Sequence, residues 1–209
     1  MNRPLIICDC DEVLLHMVAH FKQWLEEEEG IDFQLEGASF SEALRWQKSG
    51  ELLEQTDIWR MLGLFFDTQM HRQTPIAGAV DAIATLSDHA EVVILTNLVD
   101  ERRERRAQQL AQFGINAQVY TNQGPKGPAL ARIIERHDPS HAIFIDDLSQ
   151  HHASVKEVSP KTIRLHMCGE PMIADHIECA HKRGFADARM DEWGAAVPWL
   201  IERIEEDRP

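Results

Sequence analysis

Hydrophobic and polar positions change rhythm twice along the chain. Residues 4–8 are a short, uninterrupted apolar run with no helical pattern beside it, which predicts a strand buried in a parallel sheet. Residues 13–29 repeat their apolar positions at helical spacing and run out at Gly30, a plausible helix stop. Between 41 and 72 the large residues Trp46, Leu52, Leu53, Ile58, Trp59, Leu62, Phe65 and Phe66 fall at helical spacings, predicting two or three helices and no strand. From Pro75 onward the texture alternates. A helix is expected over 78–88, a buried strand over 91–95, and a helix over 100–113 with Asp100 as N-cap and Gly114 as its stop. A short strand follows at 117–120, then a helix opened by Pro128 and running to about His137, strands at 142–145 and 162–166, and a last helix over about 191–205.

Alternating strands and helices predict an α/β fold, a doubly wound parallel sheet with helices on both faces. The helical stretch after the first strand breaks that alternation. It reads as an all-helical insertion over 14–73, with residues 1–13 and 74–209 forming the core domain.

Composition narrows the function classes. In 209 residues, 21 Lys and Arg stand against 35 Asp and Glu, a formal charge of −14. Such a surface repels nucleic acid phosphates and anionic lipids, so neither is expected as the main partner. A small anionic substrate stays compatible, because the local charge of a cleft can oppose the global sign. The apolar run at the N-terminus is too short for a signal peptide, and no stretch approaches the ~18 apolar residues of a membrane span. Cys8 and Cys10 flank an aspartate on a buried strand, poor geometry for a disulfide; a cytoplasmic protein with reduced thiols is expected.

The chemistry gathers at strand ends. The first strand ends in Asp9-Cys10-Asp11-Glu12-Val13, the second in Thr96-Asn97, and the fourth in Asp146-Asp147, while Lys126 precedes a helix. In a doubly wound sheet these carboxyl ends open onto one crevice. Each aspartate alone is an ordinary turn or cap residue. Together, Asp9, Asp11, Asp146 and Asp147 crowd like charges, a costly arrangement unless a cation or shared protons neutralise them. All-oxygen donors suit Mg²⁺, after which Lys126 and the Thr96 hydroxyl could hold a phosphate.

In this order the residues resemble the four signature motifs of the haloacid dehalogenase superfamily: Asp-x-Asp-x-Val at 9–13, a strand ending in Thr96, Lys126, and the acidic pair Asp146-Asp147 after an apolar strand. The resemblance spans residues 5–147. It implies a Mg²⁺-dependent phosphohydrolase acting on a small phosphorylated metabolite. Asp9 would be the nucleophile that forms an aspartyl-phosphate, and Asp11 the acid and base. The metal would be held by Asp9, the Asp11 backbone carbonyl and Asp147, with Asp146 as ligand or neighbour. Thr96, Asn97 and Lys126 would bind the phosphoryl group. Family members that act as dehalogenases or phosphonatases lack the second aspartate, so Asp11 favours phosphate ester chemistry. The insertion resembles the family's cap module, which closes over small substrates.

Two further readings compete. A phosphotransferase or phosphomutase would use the same intermediate with another acceptor. A non-catalytic binding or regulatory protein on this fold would be expected to have lost a motif residue, and Asp9, Asp11, Thr96, Lys126 and Asp147 are all present.

Weaker signals have blander readings. Cys10 is expected to be a small packed residue. His16 and His20 share a helix spacing but lack a third ligand, so zinc is not expected. His151 and His152 read as a solvated loop or helix end, and Arg102, Arg103, Arg105 and Arg106 as a solvated helix face. Arg45, Trp46, Lys48, Arg60, His71 and Arg72 are candidates for reading a leaving group. Oligomeric state is not legible.

Overall fold

The computed structural model describes residues 2–34 and 42–206. The chain divides into two compact units, Met1–Leu15 with Pro75–Pro209, and His16–Thr74.

The larger unit is built on a six-stranded parallel sheet of β1 (Leu5–Cys8), β4 (Glu91–Thr96), β5 (Gln118–Thr121), β6 (Ala142–Asp146), β7 (Ile163–His166) and β8 (Ala188–Arg189), in the order β5-β4-β1-β6-β7-β8. The two-residue alternation of strand side chains splits each run between two cores. Ile6, Cys8, Val92, Ile94, Ile143 and Ile145 enter one, where α3 (Ala79–His89) and α7 (Trp193–Glu206) pack. Leu5, Ile7, Val93, Leu95 and Phe144 enter the other, against α5 (Gly127–His137) and α6 (Ser149–Val158). Burial on both faces explains why these strands are apolar throughout rather than alternating. The doubly wound α/β architecture expected from the sequence is therefore present.

Boundaries differ where polar residues carry structure. Helix α6 and the short strand β8 have little apolar signal of their own. Asp100 does not cap α4 (Arg103–Gln112); it opens a 3-10 turn and accepts a hydrogen bond from the Thr121 hydroxyl. Gly114 does follow the helix in the left-handed conformation, at φ +89°.

The smaller unit is not all-helical. Helix α1 begins at Val18 and reaches Trp24, then widens into a π-helical segment, Leu25–Glu29, that stops at Gly30 with φ +66°. An antiparallel pair, β2 (Ile31–Phe33) with β3 (Leu44–Trp46), follows before α2 (Gln55–Thr68). The expectation of no strand in 41–72 is thus corrected. Three-residue strands are too short to impose a period against neighbouring helices. Phe21, Trp24, Phe65 and Phe66 form this unit's aromatic core, with ring centroids 5.4–6.1 Å apart.

Candidate active site

Register decides what meets at the carboxyl edge of the sheet. Cys8 lies beside Ile94 on one neighbour and Ile145 on the other. Asp9, Thr96 and Asp146 therefore emerge together where β1, β4 and β6 end. The Asp9 N–H still bonds to the Ile145 carbonyl at 2.8 Å, so the sheet fixes the first aspartate directly.

After Asp9 the chain folds into a tight loop. The N–H groups of Leu14 and Leu15 both donate to the Cys10 carbonyl (2.8 and 3.0 Å), and the Glu12 N–H donates to the Leu15 carbonyl at 2.8 Å. Glu12 sits at φ +62°, a left-handed conformation that is costly for a residue with a side chain. The loop is also tied down by Gly169 N–H on the Glu12 carbonyl and by the Trp193 indole N–H on the Val13 carbonyl (2.7 and 2.9 Å).

Lys126 lies at the start of α5, and its ammonium reaches two carboxylates, Asp9 Oδ1 at 2.6 Å and Asp146 Oδ2 at 2.7 Å. All three side chains are buried. The second Asp146 oxygen accepts from the Leu148 N–H at 2.9 Å, so that carboxylate is engaged on both sides. Burial pushes Asp146 up, but the Lys126 ammonium beside it outweighs this and holds the group below the ordinary carboxylate range. Burial raises Asp9 to about 7 against the opposing pull of Lys126, with Asp146 adding to the rise. Burial, then Asp146, Asp9 and Glu12, push Asp147 well above its usual range.

Asp9, Asp146 and Asp147 each offer an oxygen within 4.8 Å of the others. Three buried carboxylates at this spacing, with one lysine among them, are a donor set of hard oxygens short of positive charge, which fits Mg²⁺. On the neighbouring strand the fully buried Thr96 hydroxyl has no hydrogen-bond partner among the described residues. A buried hydroxyl left unmatched at the mouth of a cationic and acidic cluster fits a site that receives a polar ligand. The Asn97 amide donates to the Gly124 carbonyl at 3.0 Å and lies 3.4 Å from His151 Nε2, and its oxygen accepts from Asn122 at 2.9 Å.

Two groups expected in solvent are buried instead. His151 and His152 are buried in α6 rather than solvated. His152 Nε2–H donates to the Asp146 carbonyl at 2.9 Å, and burial lowers its pKa to about 4, so it is neutral. His166, at the end of β7, accepts from the Ala180 N–H through Nδ1 (2.9 Å) and donates from Nε2 to the Asp147 carbonyl (2.7 Å). These two imidazoles fix the backbone of the acidic pair.

Arg106 does not share a solvated face with the other arginines. It is fully buried, and its terminal nitrogens reach Asp11 Oδ1 and Oδ2 (2.9 and 3.1 Å) and Cys10 Sγ (3.3 Å). Burial opposes its charge, yet Asp11 and Cys10 more than offset this and its pKa is raised. Cys10 is packed and fully buried, and burial raises its thiol pKa, which agrees with the packed-residue reading.

The remaining candidates lie in the smaller unit. His16 precedes α1, so it does not share a helical face with His20, whose ring meets the Thr74 hydroxyl at 2.9 Å. Arg60 pairs with Asp57, Arg72 with Glu27 and Glu28, and Arg45 donates to the Gly50 carbonyl. No helix among the described residues is long and apolar enough to cross a membrane.

No protein-family model and no curated protein matches the sequence. Solved structures do match it in fold. A HAD family hydrolase from Deinococcus radiodurans, with bound phosphate and sodium, superposes at a TM-score of 0.67 with 17% identity over 96% of each chain. A haloacid dehalogenase-like hydrolase from Streptococcus pneumoniae also gives 0.67, at 13% identity over 95% of this chain and 98% of that one. The YfnB protein of Bacillus subtilis, assigned to the HAD hydrolases and bound to magnesium, gives 0.62 at 14% identity over 96% and 99%. The chain has the fold of the haloacid dehalogenase-like hydrolases.

Proposed function

We propose that this chain is a Mg²⁺-dependent phosphohydrolase of the haloacid dehalogenase type, cleaving a small phosphomonoester through a phosphoaspartate on Asp9. The observation that carries the reading is the buried cluster in which Lys126 bridges Asp9 and Asp146, with Asp147 close by and the unmatched Thr96 hydroxyl on the adjacent strand.

The carboxylates of Asp9 and Asp147 and the backbone carbonyl of Asp11 would hold the ion. When bound, Mg²⁺ would neutralise charge on the phosphoryl oxygens. Asp146, committed to Lys126 and Leu148, would orient the lysine rather than the ion.

The chain's own residues carry the steps. The Lys126 ammonium favours the ionised Asp9 that burial disfavours. Asp9 attacks phosphorus as the ester oxygen leaves with a proton from Asp11. Lys126 and the Thr96 hydroxyl hold phosphoryl oxygens. Asp11, now a carboxylate, takes a proton from the water that attacks the phosphoaspartate. Phosphate departs and Asp9 is restored.

The test is hydrolysis of 4-nitrophenyl phosphate with and without Mg²⁺ by wild type and Asp9→Asn. Turnover that needs Mg²⁺ and vanishes in the variant is expected. An Asp9→Asn protein as active as wild type would remove the nucleophile from the scheme.

A further inference from the structure

Helix α4 buries Arg106 together with Gln109 and Leu110, on the i, i+3, i+4 positions that face the core. A leucine there would pack with no ion to desolvate. Buried ion pairs are weak sources of stability, and replacing them with apolar groups is often neutral. Their better use is to fix geometry. Here the guanidinium grips both residues that follow the proposed nucleophile, one nitrogen on Cys10 Sγ and another on both oxygens of Asp11. Asp11 keeps 17% of its side chain exposed while Arg106 keeps none, so the guanidinium meets the carboxyl group from its buried side.

The need for such a hold lies in the loop. Asp11 sits in neither helix nor strand, directly before the left-handed Glu12. Arg106 gives each Asp11 oxygen one contact, which fixes the plane of the carboxyl group. A proton donor must come within hydrogen-bond reach of the departing oxygen, and a misplacement of about 1 Å can cost about 10²-fold in rate.

We propose that Arg106 is a positioning residue that holds Asp11 in the orientation for proton transfer to the leaving group. This rests on the acid role assigned to Asp11 above.

The measurement is kcat/KM with Mg²⁺ for 4-nitrophenyl phosphate, whose leaving group departs without much protonation, and for benzyl phosphate, whose leaving group needs a proton. Wild type, Asp11→Asn, Arg106→Met and Arg106→Lys are compared. Asp11→Asn should lose far more on benzyl phosphate. Arg106→Met should follow it, raising the ratio of the two kcat/KM values by about 10-fold or more, within the range that general acid catalysis contributes. Arg106→Lys, which keeps the charge without the fork, should fall between. Equal losses on both substrates in Arg106→Met, with selective loss in Asp11→Asn, would overturn the positioning role and leave the acid role standing. No selectivity in Asp11→Asn, or no turnover by wild type, would overturn the acid role and this proposal with it. If Arg106→Met gives no cooperative thermal melt, Arg106→Lys decides: an unchanged ratio overturns the proposal.

Discussion

Lys126 stands between two carboxylates with almost no contact with solvent. An ammonium is costly to bury, and here Asp9 and Asp146 more than compensate, so its pKa is raised despite burial. Removing it would leave two buried acids facing each other with nothing between. Breaking a buried ion pair from one side typically costs about 3–5 kcal/mol. The acids can relieve part of this by taking up a proton, so Lys126→Met should lose about 3 kcal/mol in urea unfolding measured with EDTA present. Its turnover of aryl phosphate should fall at least about 10²-fold, as expected when a preorganised charge is lost from a phosphoryl site. A variant of wild-type stability and activity would show that the bridge does neither job. The two acids of this bridge were legible in the sequence because each falls at the end of an apolar run, and Lys126 was legible by its order between them, just ahead of a helix. Arg106 was not, because a run of arginines on a helix reads as a wet surface. The available signal was its place four residues before Leu110, on the buried stripe. The imidazoles behind the acidic pair escaped for a similar reason: nothing in the sequence distinguishes a histidine that supports a backbone carbonyl from one in solvent.

At the scale of elements, five strands of the six-stranded sheet and their order of chemistry were readable, and helix α6 beside them was not. Helix α6 buries Ser149, His151, His152 and Val155, so only one of its inward residues is apolar. It packs so tightly on α5 that Gly127 has no room for a side chain. A Cβ there would lie 2.3 Å from the Ser154 carbonyl oxygen, and the Gly127 N–H already donates to the Ser154 hydroxyl at 3.1 Å. Because Lys126 is the preceding residue, this contact sets where its side chain begins. Gly127→Ala must push α5 and α6 apart, and overpacking of this kind costs about 1–3 kcal/mol. It should also depress aryl phosphate turnover by shifting Lys126. Gly114→Ala is the control. Its φ of +89° makes alanine strained, at about 1 kcal/mol, but no atom lies within 4 Å of the added carbon. That variant should lose stability in urea and keep its activity. If both substitutions leave turnover untouched, the α5–α6 contact does not set the lysine. The smaller unit was the least legible region, since its apolar residues come from helix, π-helical turn and paired strands at once, and their spacings mimic one continuous helical pattern.

The whole molecule carries a charge of −14 and buries Asp9, Asp146 and Asp147 within 4.8 Å of one another. One lysine cannot balance three acids, and the rest of the chain adds repulsion rather than relief. A cation bound at this cluster should therefore stabilise the fold as a whole. By mass action, an ion at a hundredfold excess over its Kd adds about 2.7 kcal/mol. For a chain of this size that is a rise in Tm of about 5–10 °C. A strongly acidic protein is also stabilised by any salt through screening, so the comparison must be made at matched ionic strength with NaCl. Mg²⁺ should raise Tm well above the NaCl control in wild type. Asp147→Asn, which removes one of the three carboxylates, should respond to Mg²⁺ much as it responds to NaCl. The contrast separates two sources of stabilisation that activity assays confound. An equal rise in wild type and Asp147→Asn would mean that the ion acts on the general surface, and the buried acids would then need shared protons instead.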